Sequence, residues 1–253
     1  MLVRLKTPSE IEGFAAAGRM AADIMQMLLD AAKPGLATIE LDRMARSACA
    51  DLKAVPVFLG YHGFPAAVCA SINEELVHGI PGDRVLQEGD LLKIDIGVGF
   101  DGFIGDMART VRVGGPKCDK PSGLVFDCHT ALLRGIAAAR PGCDIGDIGE
   151  EISRTARQNG WQVVLEYGGH GVDRGRLHAD PFVDNARTDR KLRLRPGMVL
   201  AIEPMFVAGP NAQTSVAADG WTVRASGSTA HFEHTIAVAE LGEPKILTKR
   251  EEE

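Results

Sequence analysis

Two acids stand where an ionised side chain is costly. Asp95 lies inside Leu91-Leu92-Lys93-Ile94-Asp95-Ile96-Gly97, and Glu203 lies inside Val199-Leu200-Ala201-Ile202-Glu203-Pro204-Met205. A carboxylate in a buried strand needs pairing or a metal ion. Glu233 repeats the theme in His231-Phe232-Glu233-His234-Thr235-Ile236, and Asp106 follows Gly102 and Gly105. No arginine or lysine is conveniently placed beside each of the four, so divalent cations are the economical compensation. A carboxylate-dominated set with one histidine suits Mn²⁺, Fe²⁺, Co²⁺ or Zn²⁺, and two such ions can share bridging carboxylates. Of the seven histidines, His170 sits in Gly168-Gly169-His170-Gly171, where glycines let the backbone approach a ligand closely. His78, in Val77-His78-Gly79-Ile80-Pro81, ends a strand at a sharp turn, from which a side chain can point into a cleft. His129, amid Thr130, Ala131 and Leu132, reads as an ordinary surface or core histidine. The chain has no H-E-x-x-H, G-x-S-x-G, P-loop or dinucleotide fingerprint. Spacing alone therefore leaves a metal site of open kind.

The elements that must position these groups follow from periodicity. From Pro8 to Ala32, Ile11, Phe14, Ala15, Met20, Ile24, Met27 and Leu28 recur at helical intervals, and Pro34-Gly35 ends the run. Thr38 is the expected N-cap of a second helix with Leu41, Met44, Ala45, Ala48 and Leu52 on one face. Strands are expected over Val55–His62, Ala66–Ile72, Leu91–Val98 and Thr110–Val113. Helices are expected from Ser122 to Arg140, stopped by Pro141-Gly142, and from Ile145 to Asn159; strands follow through Val238. The order helix, Pro-Gly, helix, strands thus occurs twice, which predicts a duplication. Two α+β halves, roughly 8–115 and 122–240 within one domain of 253 residues, would pack with helices on one side of an antiparallel sheet. A site belongs at their junction.

Bulk composition narrows the class. Hydrophobic residues at 45% and charged residues at 25% match a soluble globular protein, and no apolar run approaches a membrane span. The start, Met1-Leu2-Val3-Arg4-Leu5-Lys6, has no secretory h-region, so the cytoplasm is expected. Cys49, Cys69, Cys118, Cys128 and Cys143 are odd in number and widely spaced, which predicts free thiols rather than a disulfide framework or structural zinc. A net charge of -6 from mixed acids and bases carries no nucleic-acid footprint.

The run Tyr61-His62-Gly63-Phe64-Pro65, then Ser71-Ile72-Asn73-Glu74 and His78-Gly79-Ile80-Pro81, resembles a type I methionine aminopeptidase. Ile94-Asp95-Ile96-Gly97, Asp101-Gly102-Phe103-Ile104-Gly105-Asp106, Gly169-His170-Gly171-Val172, Ile202-Glu203-Pro204, Asp219-Gly220-Trp221-Thr222-Val223 and Phe232-Glu233-His234-Thr235 agree in order and spacing. The resemblance implies the pita-bread α+β fold with pseudo-twofold halves. It implies two divalent ions, with Asp95 on one, Asp106 and Glu233 on both, and His170 with Glu203 completing the other. A water shared by the ions would attack the scissile carbonyl, Glu203 would shuttle the proton, and His78 and His178 would hold the peptide carbonyl and amide. The methionine pocket would fall on Tyr61, Phe64, Cys69, Leu177 and Trp221, with Phe58 at its edge. Substrates would be peptides and nascent polypeptides with N-terminal methionine before a small residue, the enzyme a monomer, and the ribosome a candidate docking partner. A related Xaa-Pro peptidase and a non-catalytic binding module are the alternatives. The chain departs from the family's pattern in four places. One residue is inserted between His170 and His178, and His231, Met107 and Val77 replace the usual glutamine, threonine and cysteine.

Overall fold

A computed structural model describes residues 3–115 and 123–250. Ser122, the expected start of the third helix, and Cys118 lie outside them. Helix α1 (Pro8–Ala31) opens with a capping box, in which the Thr7 hydroxyl accepts from the Glu10 amide and the Glu10 carboxylate accepts from the Thr7 amide. Helix α2 (Thr38–Asp51) has Ala37, not Thr38, at its N-cap. The Thr38 hydroxyl is engaged elsewhere, donating to the Gly82 carbonyl at 3.0 Å and accepting from its amide at 2.9 Å. A tertiary bond has outcompeted the local cap. Helices α3 (Leu124–Ala138) and α4 (Gly146–Asn159) form the second pair.

Nine strands make the large sheet: β1 (Val55–Pro56), β2 (Val68–Ile72), β3 (Leu91–Phe100), β4 (Phe103–Arg112), β5 (Gly169–Asp173), β6 (Arg176–Val183), β7 (Val199–Ile202), β8 (Glu233–Ala237) and β9 (Lys245–Ile246). Their order is β1-β3-β4-β8-β7-β5-β6, with β2 also on β3 and β9 on β8. Every pairing is antiparallel.

Two strand expectations need correction. The segment Val55–His62 is strand only to Pro56; Gly60 is left-handed and Tyr61–Gly63 form a 3₁₀ turn. That turn frees Phe58, Tyr61 and Phe64 from strand alternation. Conversely, Thr110–Val113 is only the end of the ten-residue β4, which begins right after the turn Asp101-Gly102. Both turn residues have positive φ, at 50° and 79°, as a two-residue hairpin with the right twist requires.

The sheet is two-faced because side chains alternate. Leu92, Ile94, Ile96 and Met107 are buried against Met25, Leu28 and Leu41 of α1 and α2. Leu200, Ile202 and Ile236 are buried against Leu132, Ile136, Ile148 and Ile152 of α3 and α4. Helix α1 comes so close that a Cβ on Gly105 would stand 2.5 Å from the Gly18 Cα. The halves repeat their connections. The Gly35 amide donates to Leu86 and the Leu86 amide to Leu36, at 2.9 and 2.8 Å; Gly142 donates to Leu194 and Leu194 to Cys143, at 2.8 and 2.9 Å. Each Pro-Gly turn is thus clipped to the segment that leads into a central strand, as two pseudo-symmetric halves demand.

Candidate metal centre and cavity

Register brings the five suspected ligands together on the face opposite the helices. Asp95 pairs with Ala108 and Ala108 with Glu233, and Glu203 comes one step beyond the His234–Ile202 pair. The neighbouring row holds Asp106, Thr235, Ala201 and His170, since Thr235 and His170 both pair with Ala201 and the Thr235 hydroxyl bonds the Asp106 backbone. The rows are two residues apart, so all five side chains share one face. Between them stand only the small side chains of Ala108 and Ala201 and the engaged Thr235.

His170 Nε2 lies 3.6 Å from Asp106 Oδ2, 3.8 Å from Glu203 Oε1 and 4.0 Å from Glu233 Oε1. Its Nδ1 lies 3.1 Å from the Gly171 carbonyl, which can only accept, so Nδ1 carries the proton and the Nε2 lone pair faces the carboxylates. Burial lowers the His170 pKa to about 3 and keeps the ring neutral, as a ligand must be. Two overlapping groups could each hold an ion, His170/Glu203/Glu233 and Asp95/Asp106/Glu233; in each, the ligand atoms lie within 4.8 Å of one another. Asp106 and His170 also form a third group with His178.

The acids do not balance one another. Burial pushes Asp95 up to about 7 and Glu203 up to about 8. Asp106 and Glu233 rise well above the carboxylate range, first through burial and then through the neighbouring carboxylates. Buried oxygens of Asp95 (Oδ1), Asp106 (Oδ1) and Glu233 (Oε1) have no hydrogen-bond partner. Orphaned oxygens converging beside a neutral imidazole are the donor set that divalent cations fit.

The glycines around His170 let neighbouring strands pack closely. A Cβ on Gly169 would meet the Ala201 carbonyl at 2.2 Å, and one on Gly171 the Asp180 carbonyl at 2.1 Å. They let β5 lie flush between β7 and β6.

A cavity of about 540 Å³ opens over the cluster, and Tyr61, Phe64, Cys69, His78, His178 and Trp221 line it together with Phe58. Phe64 and Trp221 meet edge to face at 5.2 Å. Leu177 packs in the apolar layer with Phe64 and Cys69 rather than on the cavity wall. His178 reaches the cavity despite the inserted residue. Its Nδ1 is 2.9 Å from the Tyr61 hydroxyl, and its ring is 4.3 Å from that of His170. The register slips twice along β5–β6, and the turn docks through the Gly175 amide on the Gly102 carbonyl at 2.7 Å, so the hairpin absorbs the extra residue. Further wall residues, His62 and Tyr167 among them, escaped the sequence reading. His62 was legible in the Tyr-His-Gly run; Tyr167 carries no motif. His129 lies against Phe232, 5.0 Å between centroids.

The pattern that defines metallopeptidase family M24 matches residues 12–240. Methionine aminopeptidase of Aquifex aeolicus is 41% identical over 98% of this chain and its own full length. Methionine aminopeptidase 1 of Bacillus subtilis is 42% identical over 95% of this chain and 97% of its own. The chain belongs to the methionine aminopeptidases of family M24. The crystal structure of methionine aminopeptidase from Rickettsia prowazekii superposes with a TM-score of 0.92 at 36% identity, covering 98% of this chain and 100% of that one. Prolidase from Pyrococcus furiosus, at 23% identity and a TM-score of 0.73, shares the pita-bread fold alone; 98% of this chain covers 66% of that one. The chain is therefore an α+β hydrolase with the fold its motifs implied. Met107, one of its departures, is fully buried on the helix face of the sheet, away from the carboxylates. Val77 joins an apolar cluster with Met205 and Val223. Among the described residues, no helix is long and apolar enough to cross a membrane.

Proposed function

We propose that the chain hydrolyses the N-terminal methionine from peptides and nascent polypeptides whose second residue is small, using two divalent metal ions, Co²⁺, Mn²⁺, Fe²⁺ or Zn²⁺. What supports this above all is the convergence of five side chains on one floor, with three orphaned carboxylate oxygens, beneath an apolar cavity. Asp95 would hold one ion, Asp106 and Glu233 both, and His170 with Glu203 the other. When bound, the ions supply Lewis acidity, lowering the pKa of the attacking water and polarising the scissile carbonyl.

The remaining work falls to the chain itself. Glu203 takes the proton of the attacking water and passes it to the leaving amine. His78, kept neutral because burial lowers it to about 4, and His178 hold the peptide carbonyl and amide by hydrogen bonds. Tyr61, Phe64, Cys69 and Trp221 enclose the methionine side chain, where each thioether–aromatic contact contributes about 0.3–1.5 kcal/mol. The role carries with it a cytoplasmic location, action as a monomer and substrates leaving the ribosome.

Chelator-stripped protein reloaded with Co²⁺ or Mn²⁺ should release free methionine from Met-Ala-Ser and Met-Gly-Met-Met. Intact peptide with every metal tried would overturn the reading. Faster cleavage of an Xaa-Pro dipeptide than of Met-Ala would replace it with a proline-directed activity.

A further inference from the structure

His231 is a buried polar side chain beside the centre that the scheme above does not use. It is 1% exposed, and its main chain is fixed on both sides by Thr110, whose hydroxyl donates to the His231 carbonyl at 2.7 Å and accepts from the His231 amide at 2.9 Å. The ring cannot drift far from so anchored a backbone. Neither ring nitrogen makes a well-aligned hydrogen bond, yet Nε2 lies 3.2 Å from Glu203 Oε2. The other oxygen, Glu203 Oε1, faces His170 Nε2 at 3.8 Å. The two oxygens of one carboxylate are thus divided, one toward the suspected ion and one toward His231.

We propose that His231 is a positioning residue whose Nε2–H donates to Glu203 Oε2, so that Glu203 offers Oε1 alone to the ion on the His170 side. The inference rests on the reading of Glu203 as a ligand. An ionised carboxylate only accepts, so the nitrogen facing it must carry the proton, which fixes the Nε2–H tautomer and leaves Nδ1 as the bare nitrogen. Without that donor, Glu203 is free to turn both oxygens inward or to swing off the ion. Loss of an outer hydrogen bond of this kind costs about 10- to 100-fold in metal affinity.

The position of the donor gives a sharp test. A glutamine amide nitrogen reaches roughly where Nε2 stands, whereas an asparagine amide reaches only the Nδ1 position. Calorimetric titration of Mn²⁺ into stripped protein should show His231→Gln close to the unmodified protein. His231→Asn and His231→Leu should lose about 10- to 100-fold in one of two binding steps, with the other nearly unchanged. Equal affinities for all three, or Gln as weak as Asn, would overturn the proposal. Glu203→Gln separates the two layers of argument. If that variant binds metal normally, the ligand reading itself falls; if it binds weakly while the His231 variants bind normally, only the role of His231 falls. A measurement on the unmodified protein needs no variant to fold: ring ¹⁵N shifts of His231 in the Zn²⁺-loaded protein should report the Nε2–H tautomer, and the Nδ1–H tautomer would contradict the inference.

Discussion

The Thr235 hydroxyl donates to the Asp106 carbonyl at 2.8 Å and accepts from the Asp106 amide at 3.0 Å, so one side chain closes a rung of the sheet between β8 and β4. Replacing it by Val leaves both backbone groups of Asp106 buried without partners, each a loss of about 1–3 kcal/mol. Thr235→Val should therefore shift the urea midpoint strongly and weaken Mn²⁺ binding, whereas Thr235→Ser should stay near the unmodified protein. Equal midpoints for Val and Ser would show that the rung does not hold Asp106.

Gly171→Ala puts a methyl group 2.1 Å from the Asp180 carbonyl, a backbone atom that cannot give way cheaply. Overpacking of this kind costs about 1–3 kcal/mol, and it pushes β5 and His170 out of register. Gly175→Ala, on the same hairpin, meets open space and pays only the left-handed backbone at φ 68°, about 1–2 kcal/mol. Loss of metal affinity is expected for the first and not for the second, by the same titration.

Removal of metal should destabilise the protein in a pH-dependent way. In the stripped protein, burial holds Asp95 near 7 and Glu203 near 8, above their unfolded values of about 4. A raised folded pKa means the fold binds more protons than the unfolded chain, so this contribution is complete below about pH 4 and is lost as pH rises through 7 and 8. Melting temperatures of chelated protein should fall from pH 6 to pH 8, and Mn²⁺ should restore more at pH 8 than at pH 6. A chelated protein as stable at pH 8 as at pH 6 would contradict this account of the cluster.

His78 sits in the left-handed region at φ 60°, a conformation that asparagine tolerates better than most residues. His78→Asn keeps the turn and removes the imidazole. Its kcat on Met-Ala-Ser should drop about 100- to 1000-fold, with Mn²⁺ affinity unchanged. A drop below threefold would exclude the residue from the reaction.

Much of the centre was legible because burial makes charge conspicuous. Asp95 between Ile94 and Ile96 announced a face change within a strand, and the structure puts the isoleucines under α1 and α2 and the acid on the other side. What local pattern missed came from long-range competition. Thr38 had the composition of a cap, but Gly82 claimed its hydroxyl. The start of β4 was written in Asp101-Gly102, yet only Thr110–Val113 was expected as strand; Gly105 belongs to the strand, and it is a glycine because α1 rests on it at Gly18. His231 stood beside Glu233 in sequence, but only the fold turns its ring toward Glu203.

The seam where β8 meets β4 also sets an order of assembly. Asp95 and Asp106 are on strands complete by residue 112, while Glu233 is carried by β8, which reaches β4 across more than a hundred intervening residues. Until those residues are synthesised, β4 is an open edge, and contacts this distant in sequence form slowly. Emergence from the ribosome therefore finishes the floor of the cavity late: an enzyme whose proposed substrates are newborn chains takes shape only after Glu233 of its own has been added.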